Sequence, residues 1–243
     1  MSTYFRAWQA LWMIPAMRSP RPLADPAPRQ VAGWCLAPLT ESEADETARI
    51  YRDVFLADEP TSQVRAPDPA RFLTYAGHYT RFLAGKHLSF VARDRESHEI
   101  AGFIFCSDIT ETPGSAGDRG MPHLEDFREV MCMIQELEDR YINPSETLRG
   151  TVLHIFQIGV GRKYRGRGIA RDLIRRALAN ARDQGFRQAL ADCTGLASRR
   201  TFEQSGFHEA GFFSYEQFSL DSDRFFAGLD GGIFLMVRDL EEA

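Results

Sequence analysis

The chain has 243 residues, of which 44% are hydrophobic and 26% charged, with a formal net charge of −5. That balance excludes collagen-like and disordered classes and leaves enough chain for a substantial core. No uncharged apolar run reaches the roughly 18–20 residues of a spanning helix, so no membrane partner is expected.

The negative balance also argues against a nucleic-acid partner unless positive charge is gathered locally. Only Lys86 and Lys163 among the 29 basic residues are lysine, a bias read as genomic composition. Cys35, Cys106, Cys132 and Cys193 are far apart and form no CxxC pair, so they read as reduced thiols of a cytoplasmic protein.

Residues 1–30 read as a separate N-terminal arm. Arg6, Arg18, Arg21 and Arg29 accompany a single acid, Asp25, and the segment ends in a proline-rich run from Pro20 to Pro28. Gln9 and Pro15 interrupt its apolar stretch, so an arm packed on the domain or on a partner subunit is expected rather than a leader. Residues 31–243 read as one domain. Val31–Pro38 forms a first strand, and Thr40 with Glu43 makes a capping box for a helix to about Leu56, with Ala44, Ile50 and Val54 inward. A helix over Pro69–Leu83 follows, then strands over His87–Arg93 and Glu99–Ser107 joined by the polar turn Asp94–His98.

From Asp108 to about Asn143 the pattern is that of an insertion. A polar loop runs to Gly120, and Leu124, Phe127, Val130, Met131, Ile134, Leu137 and Tyr141 then recur at helical spacing. Thr151–Val160 is the most strand-like run. Arg167–Gln184 is helical, with Ile169, Leu173, Ile174, Leu178 and Ala181 on one face and Gly185 as its stop. Gln188–Cys193 is a strand, Ser198–Gln204 a short helix, and Phe207–Gln217 and Gly232–Val237 are closing strands. The order predicts an α/β fold with a mixed, mostly antiparallel central sheet flanked by helices.

Chemistry concentrates in Ile158-Gly159-Val160-Gly161-Arg162-Lys163-Tyr164-Arg165-Gly166-Arg167-Gly168-Ile169-Ala170, between the strongest strand and a strong helix. Glycines let the chain turn tightly there, and orphan amides at the positive end of a helix suit a phosphate or pyrophosphate. The spacing matches neither GxxxxGK[ST] nor a GxGxxG dinucleotide fingerprint.

The segment closely resembles the acyl-CoA loop of the GNAT superfamily of N-acetyltransferases, whose Arg/Gln-x-x-Gly-x-Gly/Ala pattern falls on Arg165, Gly168 and Ala170. Gly206-Phe207 resembles the family's terminal glycine–phenylalanine. The resemblance implies a GNAT-like acyl-CoA N-acyltransferase fold and acetyl-CoA as co-substrate, without a metal. It implies that Gln157, Ile158, Gly159 and Val160 pair with pantetheine. Arg165, Gly166, Arg167, Gly168, Ile169 and Ala170 would hold the pyrophosphate, with Thr194, Ser198 and Phe202 flanking the cofactor. Asp58-Glu59-Pro60 and Thr194-Gly195 with Ser198 are further similar to the insect-type arylalkylamine branch. That likeness implies Glu59 as general base and Ser198 with Thr194 as assisting hydroxyls.

The implied reaction is direct attack of a small-molecule primary amine on the thioester, or alternatively of a protein or peptide amine. A carboxylate is wanted because alkylamines arrive protonated. Phe202 departs from the family, which places a thiolate-protonating tyrosine there, so Ser198, Tyr215 or solvent must supply that proton. Phe202 also leaves open a catalytically weak CoA-binding regulatory protein. Structural readings stand beside these roles. Glu59 can be a loop carboxylate, and Thr194 and Ser198 can be helix-capping hydroxyls. His154 reads as a core or near-site histidine. The arginine run from Arg162 to Arg176 reads as phosphate contacts plus a solvated helix face, against an RNA-binding stripe. Phe212–Phe218 could line an acceptor pocket. The insertion is expected to shape the acceptor side or a homodimer contact. Its acids Asp108, Glu111, Glu125 and Asp126 either draw a cationic substrate or form a solvated face.

Overall fold

A computed structural model of the chain describes residues 29–31, 33–111, 125–142 and 147–241. Nearly all of the expected arm, and the loop ahead of the insertion helix, lie outside them.

The described strands form one eight-stranded sheet in the order β1-β2-β3-β4-β5-β6-β8-β7. They are β1 (Arg29–Val31), β2 (Trp34–Pro38), β3 (Phe90–Asp94), β4 (Ile100–Asp108), β5 (Val152–Val160), β6 (Gln188–Cys193), β7 (His208–Ser214) and β8 (Gly232–Asp239). Every pairing is antiparallel except β5 with β6. The expected first strand is thus two strands of a hairpin: Val31 pairs with Trp34, and Gly33, at φ +89°, sits in the turn between them.

The helices are α1 (Ala44–Asp58), α2 (Pro60–Arg65), α3 (Pro69–Ala84), α4 (Arg128–Tyr141), α5 (Ile169–Asp183) and α6 (Leu196–Glu203). They cover both faces of the sheet. On one face α1, α3 and α4 close a core that includes Tyr51, Phe72, Phe105, Met133 and Leu137. On the other, α5 and α6 close a second core around Leu173, Ile174, Leu153 and Phe202. Strand residues such as Leu153 and Leu190 are buried between these layers, which is why the strands read as apolar runs rather than clean alternations. Among the described residues no helix is long and apolar enough to cross a membrane.

Local chemistry sets the helix starts. Glu43 accepts from the Thr40 backbone N–H at 3.1 Å and from its hydroxyl at 2.7 Å, as the capping box requires, but a 3-10 turn over Glu41–Glu43 intervenes before α1. α2 was not expected from the sequence. Pro60 begins it, and the Glu59 carboxylate caps it by accepting from the Thr61 and Ser62 backbone N–H groups. The last expected strand before β8 ends earlier, at Ser214, and a 3-10 turn over Tyr215–Gln217 follows.

One irregularity opens the molecule. β5 runs beside β4 from Leu153 to Val160, but the register slips so that Ile155 faces Cys106 while Gln157 faces Phe105. Phe156 is therefore the extra residue of a bulge, which bends the strand. On its other side β5 pairs with β6 only from Val152–Ile155 to Gln188–Ala191. Past that point the strands part, and the sheet carries a cleft.

Candidate active site

The cleft has a volume of about 740 Å3 and begins where β5 and β6 separate. Gln157, Ile158, Gly159 and Val160 line it from β5, and Thr194, Ser198 and Phe202 line it from the far side. Gly159 has no room for a side chain, because a Cβ would lie 2.6 Å from the Phe103 ring.

The loop beyond β5 leads into the N-terminus of α5. Gly166 and Gly168 take φ values of +75° and +87°, the left-handed region that glycine enters without strain. Gly168 is the N-cap and offers no side chain to the helix. The first helical bond runs from the Asp172 N–H to the Gly168 carbonyl, so the amides of Ile169, Ala170 and Arg171 have no helical acceptor. Arg165, Gly166, Gly168, Ile169 and Ala170 all line the cleft at this end. Arg167 does not: its guanidinium lies 5.7 Å from the centre of the Tyr164 ring.

Arg165 is held from two sides, donating to the Val160 carbonyl at 3.1 Å and pairing with Asp58 at the end of α1. Most other basic residues of the run are also engaged, while Arg171 borders the cleft. Arg162 lies 3.7 Å from Asp58, Lys163 pairs with Glu99, and Arg175 pairs with Asp172 at 3.0 Å, while Arg176 packs over the Phe90 ring.

The other end of the cleft is apolar. Tyr51 and Phe55 from α1, Tyr75 from α3, and Val130 and Ile134 from α4 line it, together with Phe127. The expected aromatic pocket over Phe212–Phe218 is not there. Phe212 is exposed, Phe213 and Phe218 are buried, and none of the three borders the cleft. Of the insertion's acids named above, Asp108, Glu111 and Asp126 do not border the cleft either. Asp108 accepts from Thr110 and Gly150, Glu111 pairs with Lys86 and Arg149, and Asp126 lies 3.6 Å from Arg71. The side chain of Glu125 lies outside the described residues.

The expected catalytic side chains fare unequally. Glu59 lines the cleft, but its carboxylate already accepts from the Thr61 N–H at 3.1 Å, the Thr61 hydroxyl at 2.7 Å and the Ser62 N–H at 2.5 Å. Ser198 borders the cleft and donates to the Gly195 carbonyl at 2.8 Å. Thr194 also borders it, although the N-cap of α6 is Gly195. Tyr215 is not brought to the cleft. Its hydroxyl donates to the Thr194 carbonyl at 2.7 Å, and burial pushes its pKa far above the ordinary range. Phe202 is buried edge-on to Phe207 at 5.0 Å and presents no proton donor.

A cluster that spacing along the chain does not disclose reaches the cleft through Asp192. His154 Nε2 is 2.8 Å from Asp192 Oδ2 and 3.7 Å from Glu138 Oε1. β5, β6 and α4 bring these three together from separate parts of the chain. Burial and the neighbouring Asp192 charge push the Glu138 carboxyl up to about 8. Burial pulls the His154 imidazole down, but its hydrogen bond to Asp192 and the two carboxylate charges outweigh that, leaving it above its ordinary value. One sequence signal was available: Asp192 is a charge in the otherwise apolar stretch from Ala189 to Cys193.

The family model for the acetyltransferase (GNAT) family matches residues 45–207, more than half of the chain. The chain belongs to the GNAT acetyltransferase family. That match takes in nearly all of α1, both sides of the cleft and the loop between β5 and α5. Human N-acetyltransferase 8B is 36% identical over 67 residues, which span 27% of this chain and 30% of that protein. Two solved structures share the fold at low identity. The C-terminal condensation domain of Ebony, in complex with beta-alanyl-dopamine, has a TM-score of 0.73 at 17% identity, covering 84% of this chain and 97% of that one. An insect putative arylalkylamine N-acetyltransferase 7 from Aedes aegypti has a TM-score of 0.72 at 19% identity, covering 92% and 100%.

Proposed function

We propose that this GNAT protein transfers an acetyl group from acetyl-CoA to the primary amine of a small molecule. The carrying observation is the parting of β5 from β6 directly upstream of an uncapped helix N-terminus. A thioester with a long hydrogen-bonding arm and a pyrophosphate needs that combination: a free strand edge, then a nest of amides. Backbone groups of Gln157–Val160 would take the pantetheine arm, and amides from Arg165 to Ala170 the pyrophosphate. Acetyl-CoA supplies an activated carbonyl and a thiolate leaving group.

The amine must lose a proton before its lone pair reaches the thioester carbon. A β5 amide would hold the carbonyl oxygen as negative charge develops on it. The carbon–sulfur bond then breaks. An alkyl thiol has a pKa near about 8.5, so the thiolate leaves without a strong acid, and Phe202 in place of a tyrosine need not stop turnover. Thr194 and Ser198 offer hydroxyls on that wall. Glu59 also borders the cleft, although its carboxylate already serves three donors. The apolar end formed by α1, α3 and α4 suits an amine with an aromatic or alkyl body. The Ebony domain complex and the arylalkylamine relative lend that choice of acceptor support at the level of fold.

The test is release of free thiol from acetyl-CoA by the purified protein, with and without phenethylamine, octylamine and putrescine. Amine-dependent release, with the acetylated amine identified by mass, is expected. Release that no amine accelerates would overturn the reading.

A further inference from the structure

Glu138, His154 and Asp192 are buried together without an evident structural task. The ion partner of both carboxylates is the same imidazole. Asp192 is the informative member. Its side chain is only 2% exposed, yet it borders the cleft, and its Oδ1 has no hydrogen-bond partner. Oε1 of Gln157, which borders the same cleft, is buried and unpartnered as well. Buried acceptors without donors are unfavourable. A ligand made of donors relieves them, and a primary ammonium carries three N–H donors, a positive charge and no acceptor.

On the amine-acetylation reading above, we propose that Asp192 receives the substrate's ammonium group and takes its proton, with His154 and Glu138 as positioning residues. The N–H bond breaks, an O–H bond forms on Asp192, and the nitrogen keeps the electron pair with which it attacks the thioester carbon. The carbon–sulfur bond breaks with its electrons on sulfur. The nitrogen gives up a second proton as the amide forms. One of the two protons ends on the CoA thiol and the other leaves to water.

An isolated carboxylate is a weak base toward an alkylammonium of pKa near about 10. Here Asp192 stands beside two further groups, His154 and Glu138, that can carry a proton. Glu138 is pushed up to about 8 by burial and by Asp192, and His154 stands above its ordinary value. Such a cluster titrates as a unit. The ionisable groups facing it are Glu138 and, more weakly, Asp139 from α4, His154 from β5 and Asp192 from β6. Glu59, by contrast, has its carboxylate committed to the start of α2.

The experiment is a pH–rate profile for whichever amine turns over, in wild type, Asp192→Asn and Glu138→Gln, with acetyl-CoA affinity measured on each. For wild type, kcat/KM is expected to rise through an apparent pKa near about 8, reported by the pair rather than one residue. Asp192→Asn should lower kcat about 100-fold or more while the acetyl-CoA Kd stays within about threefold. Glu138→Gln should move the rising limb to lower pH, because the like charge is gone; a packing role would not shift it. Turnover by Asp192→Asn within about threefold of wild type, or a Glu138→Gln profile superimposed on wild type, would overturn the role of the cluster and leave the acetyltransferase reading intact. If Asp192→Asn does not fold, the Glu138→Gln profile decides. Activity lost to EDTA and restored by Zn2+ would also overturn it, since the three side chains would then be metal ligands. A wild type that binds acetyl-CoA and acts on no amine would remove the acetyltransferase reading, and the cluster's role with it.

Discussion

At the scale of single residues, the site is specified by backbone freedom and by where lone pairs are spent. Gly168 holds φ +87° at the N-cap of α5, and a Cβ there would meet only the Arg171 guanidinium, in ordinary contact at 3.9 Å. An alanine there meets no clash, only the penalty of the left-handed region, about 1–2 kcal/mol. The free loop of Gly168→Ala would relax and would have to be forced back on binding. Its acetyl-CoA affinity should therefore fall about tenfold with little change in melting temperature. Calorimetry paired with thermal denaturation separates those effects. Glu59 makes the complementary case. Its carboxylate caps α2 by accepting from Thr61 and Ser62, so Glu59→Ala should cost about 0.5–2 kcal/mol in a denaturant titration. Glu59→Gln keeps an acceptor and should cost less. The glycine spacing was legible in the sequence because it is local. The cap was not read there: Glu59-Pro60 is too short a signal to announce a six-residue helix.

At the scale of elements, the two ends of the cleft come from different parts of the fold. β5 and α5 build the end proposed for acetyl-CoA, whereas α4 contributes only to the apolar end proposed for the acceptor, through Val130, Met131 and Ile134. Leu137, fully buried beneath α4, anchors that helix. Leu137→Ala should cost about 2–5 kcal/mol of stability and raise the KM for the amine more than that for acetyl-CoA. Steady-state kinetics with each substrate varied in turn would show the asymmetry. α4 was legible from its helical repeat, and so was the strand–loop–helix from β5 to α5. What sequence periodicity could not show was the bulge at Phe156 and the early end of the β5–β6 pairing. Both depend on which strands become neighbours, a property of the assembled sheet. Phe212–Phe218 misled for the same reason, since an aromatic run does not say which side of an edge strand it will face.

At the scale of the whole molecule, the family and the architecture were legible, because the order of strands, the loop and the helix is carried by contiguous sequence. The Glu138–His154–Asp192 cluster was not, because it joins three elements spread over more than fifty residues. It has a consequence for global stability. Glu138, with an ordinary value of 4.5, holds its proton up to about 8 when folded, and His154 is also raised. The folded chain then binds more protons than the unfolded one between those values, so this contribution is present at acid pH and lost as pH rises through about 8. The melting temperature should decline from about pH 5 to about pH 8.5, and by less in Glu138→Gln. An equal decline in both proteins would refute that linkage.

The most direct test of the central claim is calorimetric titration of the wild-type chain with acetyl-CoA at moderate salt. Saturable binding of one acetyl-CoA per chain, weakened in Gly168→Ala, is the expected result. No heat of binding at about millimolar ligand would contradict it, since a cleft built from the β5 edge and the amides of α5 could not then be an acetyl-CoA site.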